Sequence, residues 1–426
     1  MNKTKNDKYW EQLFEKHKIL EKVLATGSVS ILAKEINEVR EARLMTKFDH
    51  RSQLPKIFAD NNLSILPTSR SSYIIGNFDT FCDFDVKDSV EVVKVDVPFL
   101  ESLNYEDITS EAIALNGAFS AKILHDFIEE DDLSPTVSGR MSSSSFYFSI
   151  NSRKALIKVE VNNSQIEIDG GYEGSRSLIL IEAKNYISND FLIRQLYYPY
   201  KLWVNKVKKK VRPIFLTYTN GVFHLREYTF DNANHYNSLR LIKERKYIAQ
   251  DHSINIEAVE QILKTQKTVR EPQIPFPQAD SFERVINLCE LLNQRGILPK
   301  EKITQNYDFD SRQTDYYSNA GKYLGLIESK KVDGQIVCFL TNKGRKLFTF
   351  SIANRQVEFL KLILSHAVFK KTLLAYFDKG VAPSRAEIIE IMKKSKLHQV
   401  RSDSTYYRRS STVVSWVNWI LSQLDE

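Results

Sequence analysis

The spacing of hydrophobic residues divides the N-terminal third of the chain into helical and strand-like stretches. Apolar residues recur at helical intervals over 9–24, which predicts a first helix. A second helix is expected after Ser28 or Ser30, because either hydroxyl could cap its first turn. From Leu63 onward the pattern changes to short β-like segments, and the region 108–130 returns to helical spacing.

The region 145–230 has the pattern of a compact α/β unit. Its first strands are predicted over 146–150, 156–161 and 165–169. A glycine-rich turn is expected over 170–174. The next strand, 177–184, is apolar on both faces, as in a strand buried inside a covered sheet. A helix over 189–209 and a hairpin turning at Asn220-Gly221 complete this unit.

The last third of the chain follows a proline-rich stretch, 265–279, which we interpret as a linker. Helices are predicted over 281–294, 300–306 and 311–324, followed by a β-hairpin turning at Asp333-Gly334. Three helices and a hairpin in this order are typical of a winged helix. Further helices are predicted over 354–377, 384–395 and 403–423. Within 311–324, Ala320 and Leu324 should face the core and leave Arg312 and Gln313 outward.

Together these patterns predict an α+β multidomain protein with a central mixed sheet. The predicted divisions are an N-terminal helical and β domain at 1–110, a central α/β domain at 111–264, the linker at 265–279, a winged-helix domain at 280–350 and a second helical, winged-helix-like domain at 351–426.

Composition excludes several classes of protein. The chain has 426 residues, of which 42% are apolar and 27% charged, with 14 glycines and 11 prolines, so bulk disorder and fibrous repeats are not expected. Three widely spaced cysteines cannot form a disulfide framework or a cysteine zinc site. The apolar runs are too short to cross a bilayer, and the first residues lack the apolar core of a signal peptide. We therefore expect a cytoplasmic protein with no membrane association.

The distribution of charge favours a polyanionic partner. Residues 1–300 hold 40 basic and 40 acidic side chains, whereas residues 301–426 hold 20 and 13, so the net charge of +7 arises in the C-terminal part. A second basic block, 201–250, has 11 basic against 3 acidic side chains. Basic blocks on a neutral body suit nucleic acid, although a solvated surface explains them almost equally well.

One group of residues has the chemistry of a metal site. Glu182 and Lys184 point to the same side at the end of the buried strand, and Asp169 ends the preceding strand. A carboxylate and an ammonium are costly in such a place unless they are paired or hold a metal. Two carboxylates at a sheet edge with one lysine form a hard-oxygen site suited to Mg²⁺.

Asp169 followed by Glu182-Ala183-Lys184 resembles the motif of the PD-(D/E)xK nucleases, although Ile168 stands where that motif has a proline. The surrounding order of strands and helix also resembles the core of that superfamily. The resemblance implies that Asp169 and Glu182 bind Mg²⁺ with help from the carbonyl of Ala183. Lys184 would then serve the attacking water. Glu129 or Glu130 could add a ligand, but a solvated helix end is the simpler interpretation.

Other segments resemble a group of type II restriction endonucleases: 41–50, 54–58, 65–76, 138–143, 195–203 and 408–419. The resemblance implies a homodimer that cleaves double-stranded DNA at a short sequence. Basic and polar residues in or beside these segments and in the C-terminal modules are the candidate DNA contacts: Arg43, Lys47, Arg140, Gln195, Arg312, Gln313, Lys343, Arg345, Arg408 and Arg409.

Two other classes of function stay open from the residues alone. A non-catalytic winged-helix regulator would bind DNA without cutting it, and a structure-specific repair nuclease would share the same core. The chain has no phosphate-binding loop for ATP or GTP, so no nucleotide cofactor is expected. The eight histidines form no pair with metal-ligand spacing.

Overall fold

A computed structural model describes residues 4–84, 90–153, 155–249, 254–309 and 311–424. The chain forms two compact units. Unit 1 comprises Met1–Leu103, Thr109–Tyr218 and Val222–Tyr247, and unit 2 comprises Asn104–Ile108, Thr219–Gly221 and Ile248–Glu426. Within the described ranges, no helix is long and apolar enough to span a bilayer.

Unit 1 contains most of the strands. They are β1 Ser28–Leu32, β2 Ser64–Pro67, β3 Ser72–Gly76, β4 Phe81–Asp83, β5 Val92–Lys94, β6 Ser134–Ser142, β7 Ser145–Asn151, β8 Leu156–Asn162, β9 Gln165–Glu173, β10 Ser177–Lys184, β11 Asp190–Leu192, β12 Lys210–Thr219, β13 Val222–Phe230 and β14 Leu239–Ile248. Its helices are α1 Lys5–His17, α2 Ile19–Thr26, α3 Ala33–Asn37, α4 Ala42–Thr46, α5 Lys56–Asn61, α6 Glu111–Ser120, α7 Ile123–Ile128 and α8 Arg194–Val204, with a short 3₁₀ turn at Arg51–Gln53.

A seven-stranded mixed sheet forms the centre of unit 1, in the order β5-β14-β13-β12-β10-β9-β6. Strand β10 runs antiparallel to β9 and parallel to β12. A parallel pair needs a crossover connection, and helix α8 provides it. Every residue of β10 is buried, as its two-sided apolar pattern predicts. The expected mixture of helices with a central mixed sheet is thereby confirmed.

The glycines before β10 do not form the predicted turn. Gly170 and Gly171 lie inside β9, which continues to Glu173, and the chain reverses only after that residue. Gly171 pairs with Val137 of β6, where a Cβ would lie 2.7 Å from the Val137 carbonyl oxygen. Glycine is therefore required here by the close approach of two strands rather than by a turn.

Two other predictions in unit 1 need correction, and two strands were missed. Residues Ser28–Leu32 form a strand, not a helix, because they pair with β3 in a three-stranded sheet. The helix predicted over 189–209 begins at Arg194, and the residues just before it form β11, which pairs with β4. Strands β6 and β14 were not predicted, since neither alternates clearly between apolar and polar residues.

Unit 2 is mainly helical. Its helices are α9 Ile256–Thr265, α10 Phe282–Arg295, α11 Lys300–Asn306, α12 Ser311–Tyr323, α13 Asn342–Leu347, α14 Ile352–Leu364, α15 Ala367–Lys379, α16 Arg385–Lys394 and α17 Asp403–Leu421. Strands β15 Leu298–Pro299, β16 Ile327–Val332 and β17 Gln335–Leu340 form a small sheet in the order β15-β17-β16. The hairpin turns at Asp333-Gly334 as predicted.

One extended core runs through unit 2. Phe276 and Ala279, from the stretch interpreted as a linker, are buried in it. The Trp416 Nε1–H donates to the Ala279 carbonyl at 2.8 Å, which ties that stretch to α17. The single helix predicted over 354–377 is broken at Ser365 and His366, so that α14 and α15 pack against each other.

Replacing Gly171 with alanine should destabilise the protein by about 1–3 kcal/mol, because the added methyl group meets backbone that cannot yield without a shift of β6. Gly170→Ala is the matched control, since its methyl group would meet only side-chain atoms, those of Leu115 and Tyr172, both at 3.2 Å. Urea denaturation of both variants measures the difference. Equal stability of the two would contradict the proposed strand contact.

Candidate functional site

Two neighbouring strands bring the predicted acidic residues together. The last register pair between β9 and β10 joins Gly170 to Ile181, and Asp169 and Glu182 are the next residues on the two strands. The backbone N–H of Ala183 donates to Asp169 Oδ2 at 2.8 Å. Asp169 therefore lies directly beside the Glu182-Ala183-Lys184 triplet, at the end of the most deeply buried strand.

Lys184 is directed back onto this triplet. Its ammonium donates to Glu182 Oε1 and, at 3.1 Å, to the Ala183 carbonyl. Both charged side chains are buried, with 8% of Lys184 and 9% of Glu182 exposed. Helix α8 adds one more contact, because Gln195 Nε2 donates to Glu182 Oε1 at 2.6 Å. The side-chain amide oxygen of the same residue, Gln195 Oε1, is buried without a hydrogen-bond partner.

The site holds more acidic groups than basic groups. Burial raises the pKa of the Glu182 carboxyl to about 8; Lys184 opposes this rise and Asp169 adds to it. Burial also raises the pKa of Glu111. Burial acts against the charge of Lys184, yet Glu182 and the other acidic neighbours hold the pKa of its ammonium well above the usual value. Burial thus favours the protonated form of Glu182, whereas the acidic neighbours favour the protonated form of Lys184.

Sequence reasoning missed the residues that complete this environment. Glu111 lies in the first turn of α6, where the Ser110 hydroxyl caps the helix, and it interacts electrostatically with Lys184 and Asp169. Asp49, between α4 and the 3₁₀ turn, acts on Glu182 in the same way. Their sequence context signals only helix ends and loops. Nothing local to either residue indicates proximity to β10.

The donor set suits a hard divalent cation. Carboxylate oxygens of Asp169 and Glu182 and the carbonyl oxygen of Ala183 lie at one strand end, and such oxygens are the ligands that Mg²⁺ prefers. A cation there would oppose the effects of burial and of Asp169 that raise the pKa of Glu182. The ammonium of Lys184 contacts two of these three residues, so it would have to adjust its position when a cation binds.

The alternative acidic ligands lie elsewhere. Glu130 accepts a hydrogen bond from Ser177, at the opposite end of β10, roughly 17 Å along the strand from Glu182. Glu129 pairs with Lys243. Glu129 and Glu130 therefore cannot share a metal with Asp169. The lysines at 206–210 are at that far end too, since Lys210 pairs with Ser177.

The candidate DNA contacts of unit 1 have different surroundings. Arg43 is exposed on α4, and exposed Lys47 lies 3.6 Å from Asp49. Arg140 is exposed on β6 and pairs with Glu167 at 3.1 Å, one alternation along β9 from Asp169. Gln195 differs from these because its amide contacts Glu182. It therefore belongs to the acidic site.

The candidate DNA contacts of unit 2 include exposed side chains and side chains that donate hydrogen bonds within the unit. Arg312 is exposed and Gln313 half-buried near the start of α12, while Ala320 is buried, as the helical spacing predicts. Arg408 is exposed on α17. Three others donate hydrogen bonds to nearby carbonyls: Lys343 to Leu324, Arg345 to Leu340 and Arg409 to Phe276. Burial lowers the pKa of Arg409, so that guanidinium is engaged within unit 2.

Comparisons with known proteins describe the same regions without assigning an activity. Three family models match, each a domain of unknown function: DUF6996 over residues 7–75, DUF6997 over 76–248 and DUF7226 over 284–425. No curated protein and no solved structure matches the chain. The second match ends beside Tyr247, where unit 1 also ends.

Binding of Mg²⁺ should strengthen as the pH rises. Because the pKa of Glu182 is raised to about 8, its carboxyl holds a proton at pH 6.5 that a cation must displace, and holds none well above pH 8. We expect affinity to increase roughly 25-fold from pH 6.5 to 8.5, in proportion to the deprotonated fraction of Glu182, and then level off. Isothermal titration calorimetry in buffers of different ionisation enthalpy measures both the affinity and the proton released.

Glu182→Gln is the control for this measurement, since an amide has no proton to release at that position. The variant should bind Mg²⁺ weakly and with no pH dependence in this range. Affinity of the parent protein that stays constant between pH 6.5 and 8.5 would exclude Glu182 as a ligand.

Proposed function

We propose that the protein is a Mg²⁺-dependent endonuclease that cleaves double-stranded DNA at a specific sequence, as type II restriction enzymes do. The observation that carries this proposal is the convergence of Asp169, Glu182 and Lys184 at one strand end. Lys184 contacts Glu182 and the Ala183 carbonyl, and the N–H of Ala183 contacts Asp169. Carboxylates that hold a divalent ion beside a lysine can supply the activated water and the charge neutralisation that hydrolysis of a phosphodiester uses.

The order of strands around the site supports the proposal. Strands β6, β9 and β10 are antiparallel neighbours, and β10 continues through α8 into β12, which pairs parallel to β10. Helix α6 lies before them in the chain and brings Glu111 to the same place. This arrangement resembles the core of PD-(D/E)xK nucleases, in which the acidic residues end the second and third strands.

The side chains of the site have separate tasks in this proposal. Asp169, Glu182 and the Ala183 carbonyl would hold Mg²⁺, which polarises a phosphate oxygen and acidifies water when bound. Gln195 holds Glu182 in place through its amide N–H. The Lys184 ammonium, with its raised pKa, stays charged at neutral pH. It can therefore orient a water molecule and neutralise negative charge that develops on the phosphate.

Unit 2 has elements suited to reading DNA. Helix α10, strand β15, helices α11 and α12 and the hairpin β16–β17 follow one another in the order typical of a winged helix. Exposed Arg312 lies near the start of α12, the position from which a recognition helix contacts base edges. A guanidinium can form two hydrogen bonds to guanine. We assign sequence recognition to this unit, and Arg408 on α17 to phosphate contact.

Cleavage of both strands also favours a symmetric assembly. A twofold homodimer presents one site to each strand of a palindromic sequence, so we propose a homodimer acting on DNA in the cytoplasm. No other cofactor is required by the donor set of the site.

Incubation with phage DNA and Mg²⁺ tests the activity. We expect discrete fragments, and a loss of at least about 100-fold in cleavage rate for Asp169→Asn, Glu182→Gln and Lys184→Met. Glu173→Gln is the matched control: it removes a carboxylate from the same strand, but that carboxylate pairs with Lys209 at 2.6 Å, away from the site. Its cleavage rate should match that of the parent.

The same assay separates the rival functions. Cleavage only of branched or damaged DNA would assign a structure-specific repair nuclease. Tight binding to one sequence, with DNA left intact under Mg²⁺, Mn²⁺ and Ca²⁺ alike, would contradict the nuclease and favour a regulator. Inactive variants that still bind DNA make the distinction independent of folding.

Arg312→Ala should weaken binding to the cleaved sequence by about 10- to 100-fold, the range of one bidentate base contact, with little effect on random DNA. Arg295→Ala removes an equal charge from an exposed position at the end of α10 and is the control. Fluorescence anisotropy at fixed salt measures both. An equal loss for the two variants, or a loss that is the same on random DNA, would argue against base reading by Arg312.

A further inference from the structure

Unit 2 has a group of basic side chains outside the winged-helix segment. Helix α16 ends at Lys394, the connection 395–402 follows, and α17 begins at Asp403. Residues 385–409 hold 7 basic and 3 acidic side chains. Four exposed cations of this stretch have no ion-pair partner among the residues that the structure describes, and we call them the α16–α17 surface: Lys394, Lys396, Arg401 and Arg408.

Two of the three acidic side chains in the same stretch are engaged by other cations. Glu387 pairs with Lys379 of α15. Asp403 lies 3.1 Å from the ammonium of Lys393. The third, Glu390, is exposed on α16. The four cations of the α16–α17 surface therefore face solvent with little opposing negative charge, and such a surface attracts a polyanion.

Hydroxyl groups lie in the chain between Arg401 and Arg408. Ser402 Oγ accepts a hydrogen bond from the Thr405 N–H at 3.2 Å, and it lies 3.0 Å from Ser404 Oγ and 2.8 Å from Thr405 Oγ1. Ser402 and Ser404 are exposed. Serine and threonine hydroxyls contact phosphate oxygens together with lysine and arginine in protein–DNA complexes. The side chains at the start of α17 are therefore suited to a phosphate backbone.

The same stretch offers little apolar surface to a membrane. Tyr407 is its exposed large apolar residue within the part of the chain that the structure describes. The guanidinium of Arg385 lies over that ring, 4.4 Å from its centroid. A helix that binds lipid needs a broad apolar face beside its cations. The α16–α17 surface therefore favours a polyanion in water over an anionic bilayer.

We propose that the α16–α17 surface binds the phosphate backbone of double-stranded DNA outside the base pairs that α12 reads. The proposal rests on the proposed function, which makes DNA the partner, and extends it from Arg408 alone to Lys394, Lys396 and Arg401. Contacts to phosphates carry no sequence information. The surface should therefore raise the affinity for every duplex equally and lengthen the DNA segment that the protein covers.

A triple variant, Lys394→Gln with Lys396→Gln and Arg401→Gln, tests the surface while Arg408 is retained. Fluorescence anisotropy with a duplex of random sequence, in EDTA so that no cleavage occurs, measures affinity between 50 and 200 mM salt. Each lost phosphate contact should lower the slope of log affinity against log salt by about 0.9, so the triple variant should lose about 2.7. The affinity of the parent should then fall about 40-fold more over this range than that of the variant.

A second triple variant removes an equal charge from exposed positions elsewhere in unit 2: Lys267→Gln, Arg270→Gln and Arg295→Gln. Its slope should stay within about 0.5 of the parent, because these side chains are outside the proposed surface. An equal fall in slope for the two triple variants would show an effect of net charge alone and overturn the proposal. An unchanged slope for the first triple variant would overturn it as well.

Lys396→Gly separates the loss of a contact from a loss of folding. Lys396 follows the last turn of α16 with φ +52°, a left-handed conformation that glycine adopts with less strain than lysine. The variant should melt no lower than the parent and should lower the salt slope by about 0.9. A slope equal to that of the parent would count against the surface.

The binding and cleavage assays distinguish this proposal from the proposed function. If the parent binds random duplex with the expected slopes but cleaves no DNA under Mg²⁺, the nuclease function fails and the α16–α17 surface stands. If the parent cleaves DNA and the slopes of parent and first triple variant coincide, the surface fails and the nuclease stands. A parent that binds no duplex at 50 mM salt would overturn the surface.

Discussion

The burial of an acidic and a basic side chain together at the end of strand β10 constrains the rest of unit 1. Isolated burial of Glu182 or Lys184 would cost several kcal/mol, and their mutual contact offsets this only while both side chains stay in one geometry. The neighbours of β10 maintain that geometry. Strand β9 supplies Asp169 on one side, β12 covers the other side, and the crossover helix between β10 and β12 delivers Gln195 onto the carboxylate.

Much of this arrangement could be predicted because its signals are local. The Leu178–Ile181 apolar run marks a strand buried on both faces, and alternation along a strand puts Glu182 and Lys184 on one side. The partners that complete the environment come from distant parts of the chain. His50 and Tyr186 are 136 residues apart, and no periodicity near either one indicates the contact. Long-range packing therefore limits prediction of the site more than secondary structure does.

The elements predicted wrongly have a related cause. Gly170 and Gly171 look like a turn because glycine tolerates unusual backbone angles, yet both lie inside β9, and at Gly171 glycine is needed because strand β6 approaches too closely for a side chain. Ser28–Leu32 has serines suited to capping a helix, but pairing with β3 satisfies its backbone instead. In both places a partner strand decides between two structures that the local residues permit.

The family matches divide the chain between residues 75 and 76, whereas the structure holds the residues on both sides of that boundary in unit 1. His50 and Asp49 belong to the region 7–75, whereas Tyr186, Glu182 and Asp190 belong to 76–248. The hydrogen bonds of His50 to Asp190 and Tyr186 nevertheless join the two regions. Because a buried histidine exchanges its partners only if the surrounding core opens, the two regions must fold together before the site is complete. The first 75 residues thus contribute directly to the chemical environment that β10 creates.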